Sequence, residues 1–196
     1  MNKTAHIDNY KKLFQELKVM VELTEKKILD SDSFFSGHAN FFTKSFIVTM
    51  CAYLESYLKD ALMIVIVEMN NRLDKNRIPY NLVKWSLSSD KRELKDKELK
   101  FKNLSIDVKK KELDDFISGN PYRTESLFKN FGIDLGEDAA FKEQKDRLNT
   151  IVGKRNSIIH HNDEASDISF LDIVEHIDFF IEYIENIDRL ILHHTK

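Results

Sequence analysis

A short segment, residues 153–162, carries side chains that could act on a phosphate. Its sequence is Gly-Lys-Arg-Asn-Ser-Ile-Ile-His-His-Asn, which sets Arg155, Asn156 and His160 close together at the end of a helical pattern. Asn156 and His160 are four residues apart, so they share one face of a helix. Arg155 precedes His160 by five residues, about 140° around the axis at 100° per residue. One copy of the segment therefore separates these two side chains, whereas two copies meeting across a symmetry axis would combine them.

These residue types suit one reaction on RNA that requires no metal. When a 2′-hydroxyl attacks the neighbouring phosphate, a group with a pKa near neutrality must move protons and a fixed cation must stabilise the developing charge. His160 suits the first role. Arg155 suits the second, because its guanidinium stays charged and matches phosphate geometry. Asn156 could hold the imidazole or a phosphate oxygen. The simpler interpretation is a structural histidine beside a surface cation.

Other familiar sites lack their residues. The sequence contains no glycine-rich phosphate loop, no paired cysteines for zinc and no nucleophile elbow. His160 and His161 are adjacent, so they cannot both face one metal ion on a helix, and we expect neither a metal nor another cofactor. Cys51 is the single cysteine, which excludes an internal disulfide, and we expect it to be a small buried apolar residue.

The composition favours a helical protein of one domain. Its 196 residues include only 5 Gly and 2 Pro, while Leu, Ile, Lys and Glu are abundant. We predict a single domain over residues 1–196. No secretory signal is visible, and the longest apolar run, residues 61–67, is far shorter than the roughly 20 residues needed to cross a bilayer. We therefore expect a cytoplasmic protein that does not enter a membrane.

Hydrophobic spacing predicts an all-α fold, an antiparallel up-down bundle of four main helices. Apolar residues recur at steps of three and four in four long segments. These segments are residues 5–29, residues 39–73, a third helix whose apolar run covers 141–159, and a last helix from a cap at Asp167 or Ser169 to about residue 194. A partly helical insertion, residues 78–131, separates the two halves, with short helices expected at 109–118 and 124–130.

Glu55 on the second long helix has two interpretations. The apolar residues of this helix cover more than one face, which is typical of a helix at the centre of a bundle or under a dimer contact. Glu55 and Lys59 interrupt that surface four residues apart. Either they form an exposed ion pair worth roughly a few tenths of a kcal/mol, or Glu55 faces inward and orients Arg155.

The charge distribution marks a basic stretch inside the insertion. The net charge is −3, which gives no global attraction for nucleic acid. Residues 91–111 nevertheless hold nine Lys or Arg against four Asp or Glu, whereas residues 162–196 hold nine Asp or Glu against two Lys or Arg. We predict RNA contacts from Lys91, Arg92, Lys95, Lys97, Lys100 and Lys102. Nearby Trp85, Phe101, Tyr122 and Arg123 either stack on unpaired bases or pin the insertion to the bundle.

The residues around His160 resemble a known motif. The sequence Arg155-Asn156-Ser157-Ile158-Ile159-His160 is similar to the Arg-Asn-x-x-x-His form of the Arg-x(4–6)-His motif of the HEPN superfamily. These are small all-helical domains of prokaryotic toxin–antitoxin, phage-defence and RNA-processing systems. The segment Leu54-Glu55-Ser56-Tyr57-Leu58 resembles the helix in which such proteins keep a supporting polar residue. The resemblance covers about residues 44–73 and 137–192 and leaves the insertion out.

The resemblance implies a metal-independent endoribonuclease, a toxin or defence effector that dimerises through the motif helices. It implies catalytic roles for Arg155, Asn156 and His160 and a looser, supporting role for Glu55. His161 has no counterpart in the core motif, and we regard it as a supporting residue. The implied partners are an RNA substrate, a second copy of the chain and an antitoxin protein. Two alternatives remain at this point: a HEPN-type dimer that binds RNA or protein without cutting, and a purely structural helical protein.

Overall fold

A computed structural model describes residue 4 and residues 6–88, 93–161 and 164–195. These described residues form seven α-helices and no strand, so the all-α prediction is confirmed. The helices are α1 (Ile7–Leu29), α2 (Ser33–Gly37), α3 (Ala39–Asn76), α4 (Tyr80–Leu87), α5 (Pro121–Asn130), α6 (Ala139–His161) and α7 (Phe170–His194). The predicted RNA-binding residues Lys91 and Arg92 lie outside the described ranges.

The four long helices α1, α3, α6 and α7 pack as the antiparallel up-down bundle that the sequence predicts. Helix α1 runs opposite to α7, because Lys11 pairs with Glu185 and Lys18 pairs with Asp178. Helices α3 and α7 run in the same direction, since Phe46 contacts Phe170 and Tyr57 contacts Ile184 further along. Helix α6 runs opposite to α7. Gln144 reaches Glu182, and Arg147, one turn later, reaches the carbonyl of Glu175.

Helix α3 forms the centre of the core. Its buried residues lie on more than one face, as the sequence indicates, because α1, α6 and α7 all pack against it. Tyr57 is 1% exposed, and its hydroxyl donates to the Ile184 carbonyl at 3.0 Å. Leu54 and Leu58 are fully buried beside it. Each such apolar side chain contributes about 1.5–3 kcal/mol by leaving water, so α3 provides a rigid support for the residues it carries.

The caps explain most of the helix boundaries. Of the two predicted caps of α7, Ser169 is correct: its side chain accepts from the Asp172 N–H, and Asp172 accepts in return. Helix α3 continues three residues beyond the predicted end and stops at Arg77, which has a left-handed φ of 47°. The short helix α2 lies outside the predicted segments, and Asp32 caps it by accepting from the N–H groups of Phe34 and Phe35.

The insertion is partly helical, as predicted, but its parts differ from the expected ones. Helix α4 was not foreseen, and α5 starts at Pro121 rather than Thr124. The predicted helix over residues 109–118 is wrong: only Lys110–Leu113 forms a helical turn, of the 3₁₀ type. A further 3₁₀ turn of the insertion occupies Asp96–Glu98, and another, Leu135–Glu137, lies between the insertion and α6. Short segments bury few side chains, so their conformation depends on what they pack against rather than on their own periodicity.

None of the helices in the described residues combines the length and the apolar character that a membrane span requires.

Candidate active site

Arg155 lies on the side of α6 that faces α3, where it meets Glu55. The Arg155 Nη2 atom is 3.4 Å from the Glu55 Oε1 atom, and the two side chains are 21% and 20% exposed. Glu55 therefore faces inward, and the exposed Glu55–Lys59 pair is not formed. Lys59 instead pairs with Asp114 of the insertion at 2.6 Å. Of the two interpretations of Glu55, the structure has the one in which it contacts Arg155.

Of the other two nitrogens of Arg155, one makes a hydrogen bond and the other makes none among the described residues. Its Nη1 donates to the Asn156 side-chain oxygen at 3.0 Å, so adjacent residues of the motif are joined. Its Nε is buried and has no hydrogen-bond partner among the described residues. Arginine presents five N–H donors in a planar fork. The guanidinium is thus fixed by Glu55 and Asn156 but keeps unused donor capacity.

Cys51 lies beneath this ion pair, one turn before Glu55 on α3. It is 1% exposed, as the sequence analysis expected for a small buried residue. Burial raises the pKa of the Cys51 thiol to about 12, although the charge of Arg155 opposes that rise. A thiol with this pKa stays protonated and unreactive at neutral pH, so Cys51 supports the site as an apolar neighbour.

A connector within the insertion, just before α5, packs against the Glu55 side of the ion pair, and no sequence pattern predicts this contact. Gly119 is buried with a left-handed φ of 62°, and a Cβ there would meet Val152 and the Glu55 carboxylate at 3.5 and 3.6 Å. The next residue, Asn120, caps α5 and donates its amide to the Asn149 side chain of α6 at 3.1 Å. The insertion therefore contacts both helices that hold the motif. The Asn120-Pro121 pair predicts a helix start, but it does not predict that Asn120 bonds to Asn149 of α6.

His160 and His161 occupy the last turn of α6 and are both exposed. Neither imidazole makes a hydrogen bond or ion pair with any residue in the described ranges. Helix α6 is continuous from Arg155 to His161, so the expected divergence holds: Arg155 points to α3 and His160 points to solvent. Among described residues no group of three His, Cys, Asp or Glu side chains comes together as a metal site.

The face of α6 that carries His160 is open. At 100° per residue, Asn149, Gly153, Asn156 and His160 fall within one stripe along the helix. Gly153 is exposed in the helix interior, and a Cβ there would meet nothing within 4 Å. Glycine in a helix interior costs about 1 kcal/mol relative to alanine. No contact among the described residues explains why this position is glycine rather than alanine.

The predicted RNA-binding lysines lie far from Arg155. Their stretch packs at the C-terminal end of α3, where Asn70 bonds to Ile106 and the Tyr80 N–H donates to the Lys102 carbonyl at 3.0 Å. Asn70 is 15 residues after Glu55, about 22 Å along the helix axis. Lys95, Lys97, Lys100 and Lys102 are all exposed. One chain thus presents the motif and the basic stretch at separate levels of the bundle.

The four side chains considered for base stacking divide between the two interpretations. The Lys145 ammonium lies 4.2 Å from the centre of the Tyr122 ring, a contact that holds the insertion against α6. Arg123 donates to the Asp115 carbonyl at 3.1 Å, a bond within the insertion itself. Trp85 is 45% exposed and Phe101 is 92% exposed. Phe101 is the side chain whose aromatic face the fold leaves almost entirely in solvent.

Comparison with known proteins gives one match. A family model described as RiboL-PSP-HEPN matches residues 8–193 of the chain, which includes the insertion as well as the four long helices. Neither the comparison with curated proteins nor that with solved structures finds a match.

Proposed function

The chain belongs to the RiboL-PSP-HEPN family, and on that basis we propose that it is a metal-independent endoribonuclease acting as a homodimer. The observation that carries the proposal is the placement of the Arg-Asn-x-x-x-His residues on α6. Arg155 is held by Glu55 and Asn156, and His160 is exposed one and a half turns later. These are the residues that phosphate chemistry requires, on one rigid helix.

The reaction is attack of a 2′-hydroxyl on the adjacent phosphorus. The 2′-oxygen bonds to phosphorus as the bond to the 5′-oxygen breaks, which leaves a 2′,3′-cyclic phosphate and a 5′-hydroxyl end. A His160 imidazole takes the proton from the 2′-hydroxyl, and an imidazolium returns a proton to the leaving oxygen. The Arg155 guanidinium stabilises the charge on the phosphate oxygens. Asn156 fixes Arg155 through its side-chain oxygen.

The dimer completes the site. In one chain Arg155 and His160 face different directions, so they act together only across two copies. The exposed stripe of α6 is suited to that contact, because Gly153 lets a second helix approach closely. Two α6 helices related by a two-fold axis would bring the two copies of the motif together, so that both chains contribute to one site.

The biological setting follows from the family resemblance. We propose that the chain acts in the cytoplasm as a toxin or phage-defence effector, and that an antitoxin protein holds it inactive. The substrate is RNA, with the exposed lysines of the basic stretch adding affinity for the phosphate backbone. His161, exposed beside His160, serves as a supporting residue for the bound strand.

A cleavage assay in EDTA tests the proposal. We expect RNA to be cut with the chelator present, to 2′,3′-cyclic phosphate ends, and expect Arg155→Ala and His160→Ala each to lower the rate by at least about a hundredfold. Asn156→Ala should have a smaller effect. Lys142→Ala, at an exposed position near the start of α6, is the matched control and should cut normally. Intact RNA at high protein concentration would reject the proposal.

Mixing the two inactive variants tests the composite site. If Arg155 of one subunit acts with His160 of the other, a heterodimer of Arg155→Ala and His160→Ala subunits contains one intact pair. Random exchange should then restore about a quarter of the wild-type sites. No recovery, with subunit exchange demonstrated separately, would show that each site takes both residues from one chain.

One observation favours a second candidate, a HEPN-type dimer that binds RNA or protein without cutting. Arg155 is four-fifths buried and already paired with Glu55, as expected if its role is structural. Under this alternative, the protein would retain RNA in EDTA without cutting it, and Arg155→Ala would lower stability rather than activity.

A further inference from the structure

A second cleft opens on another side of α6, against α3 and the start of α7. Its volume is about 410 Å³, which falls in the range of about 300–1,000 Å³ typical of small-ligand sites. The polar α6 side chains that line it, Arg147, Thr150 and Lys154, share one face of the helix and diverge from Asn156 and His160. None of the roles proposed above uses this cleft.

The floor of the cleft is apolar and rigid. Ile47 and Met50 from α3 and Ile151 from α6 are each at most 3% exposed, so only their edges meet the cleft. Ile168, in the segment before α7, closes one side. A floor of this kind suits the flat face of a ring, since it offers dispersion contacts without polar atoms that need partners.

The charges around the cleft cancel. Arg147 and Lys154 are opposed by Asp167 and Asp172, and burial, helped by the charge of Arg147, lowers the pKa of His176, which favours its neutral form. The lining therefore has a formal net charge of zero. A di- or triphosphate would bring several negative charges into a site that does not compensate them. A neutral ligand with polar edges fits better.

Most polar groups of the rim are already engaged. Lys154 pairs with Asp167 at 2.7 Å, and Asp172 accepts from Ser169 in the cap of α7. Arg147 is held by two contacts: its guanidinium carbon lies 4.7 Å from the centre of the Phe179 ring, and its Nη2 donates to the Glu175 carbonyl at 3.3 Å. These contacts orient the guanidinium and leave several of its five donors available at the cleft.

His176 is the unsatisfied group of the cleft. Its Nδ1 atom is buried and has no hydrogen-bond partner in the described part of the chain. Such a nitrogen costs about 1–3 kcal/mol, and a turn of the imidazole that lets Nδ1 bond to a ligand in the cleft would remove this cost. Arg147 and His176 together thus offer fixed hydrogen-bonding groups beside an apolar floor.

We propose that this cleft binds one unpaired nucleobase of a single-stranded RNA. A base has a flat apolar face for Ile168 and the apolar floor of the cleft, and a polar edge for Arg147 and His176. It carries no charge of its own, which matches the neutral lining. This inference rests on the proposed ribonuclease function, and it assigns to that function a site that selects the base beside the cleaved bond.

The position of the cleft along α6 agrees with this assignment. Lys154 precedes His160 by six residues, about 9 Å along the helix axis. His161 follows Lys154 by seven residues, which places it on the cleft side of α6 and not on the His160 side. A strand with one base in the cleft can therefore pass His161 on its way to the His160 face.

Binding measured on a His160→Ala protein tests the inference without any cleavage. The probes are the four nucleoside 5′-monophosphates, ribose 5-phosphate as the probe without a base, and four eight-nucleotide homopolymer RNAs. Binding is followed by fluorescence anisotropy for the RNAs and by NMR of the His176 imidazole for all probes. We expect at least one RNA to shift the His176 resonances and one base to be preferred. Ribose 5-phosphate should leave these resonances unchanged.

Two variants locate the contact. His176→Phe keeps a ring but removes its nitrogens, and Arg147→Gln, at an exposed position, removes the guanidinium. Each variant should bind the preferred RNA about tenfold more weakly, which corresponds to the loss of roughly one good hydrogen bond. Each should also reduce the preference for one base. Lys142→Gln on the same helix does not line the cleft and should bind normally.

Three results would overturn the inference. One is an RNA that binds while the His176 resonances stay unchanged. Another is equal binding of ribose 5-phosphate and the monophosphates, which would mean that the cleft recognises phosphate. The third is equal affinity for monophosphates and RNA, which would identify a free nucleotide as the ligand. Because none of these measurements depends on cleavage, a protein that fails to cut RNA can still pass them.

Discussion

The guanidinium of Arg155 on α6 and the carboxylate of Glu55 on α3 lie 3.4 Å apart, each about one-fifth exposed. This contact joins the central helix of the bundle to the helix of the motif. It also explains how a long, mobile side chain is held at a fixed place. We therefore expect the ion pair to affect the stability of the fold, and the open surface of α6 around His160 to affect association.

The Glu55–Arg155 pair should stabilise the fold by about 1 kcal/mol. Exposed pairs contribute about 0.2–1 kcal/mol, and this pair is mostly shielded from water. A double-mutant cycle with Glu55→Gln and Arg155→Gln, measured by urea unfolding, gives the coupling energy. The Lys59–Asp114 pair, in which Asp114 is 51% exposed, is the control and should give a smaller coupling. Equal couplings would mean that the shielding of Arg155 has no energetic effect.

Gly153 should matter for association but not for folding. Because its Cβ position is open, Gly153→Ala should raise the free energy of unfolding by about 0.5–1 kcal/mol. Gly153→Arg should leave the monomer folded and block the approach of a second α6, as measured by light scattering at micromolar concentration. Gly37, which is also helical, exposed and open, is the matched control, and Gly37→Arg should still dimerise. A dimeric Gly153→Arg protein would exclude this face of α6 from the contact.

Asn120 should contribute more to stability than its partner Asn149. Its side chain accepts from the N–H groups of Tyr122 and Arg123, so Asn120→Ala removes a helix cap worth about 0.5–2 kcal/mol. Asn149→Ala removes only the 3.1 Å bond between α6 and the cap and should cost less than about 0.5 kcal/mol. Hydrogen exchange at residues 122 and 123 should accelerate in the first variant and not in the second. Equal rates in both variants would indicate that the tie to α6, and not the cap, holds α5.

His176 should make the fold less stable in mild acid. Burial and the charge of Arg147 lower its folded pKa below the ordinary value of 6.5, against the opposing carboxylates of Asp172 and Glu175. As pH falls through about 6.5 the unfolded chain takes up a proton that the folded chain resists, so stability present at pH 7.5 is lost toward pH 5.5. Urea unfolding at the two pH values should show a smaller loss for His176→Phe than for wild type.

The control for this pH effect is His193→Phe, at an exposed histidine of the same helix. It should keep the wild-type dependence on pH. If His176→Phe also loses stability to the full extent, the acid sensitivity originates in other groups.

The basic stretch should set the salt dependence of RNA binding. Each phosphate contact to a single strand contributes about −0.7 to the slope of log affinity against log salt concentration. Replacing the four exposed lysines by glutamine should therefore make the slope less negative by up to about 3. These lysines are Lys95, Lys97, Lys100 and Lys102. An unchanged slope would place the bound strand elsewhere.

The control replaces exposed lysines of α1, namely Lys12, Lys26 and Lys27. These lie on the outer side of the bundle, and their loss should change the slope much less. A similar change from both sets would indicate a general effect of net charge.

The bundle could be predicted because its signals are local. The four long helices show apolar spacing over several turns, and Ser169 with Asp172 forms a cap that the chain itself displays. The inward position of Glu55 could only be offered as one of two alternatives. The spacing of four residues made Glu55 a possible partner of Lys59, whereas its actual partner Asp114 lies 55 residues away. Helix periodicity specifies a face, but not which distant residue covers it.

The surroundings of Arg155 were not predictable for the same reason. Gly119 belongs to a loop, and its need for glycine arises from a left-handed backbone pressed against Val152 and Glu55. The apolar cleft beside Arg147 and His176 also joins three helices. The residues that line the cleft form no recognisable pattern in the sequence, because they come from different helices and meet only when the helices pack.

The buried Gly119 connector has a consequence for the length of the insertion. The chain leaves α3 at Asn76, which is 21 residues, or about 31 Å, beyond Glu55. It must travel back over this distance before Gly119 can cover the Glu55 carboxylate. At about 3.3 Å per residue, an extended strap of about ten residues would be long enough, whereas the chain uses about four times as many. The contact of Gly119 with Glu55 thus sets a minimum contour length for the insertion, and the insertion of this chain is well above that minimum.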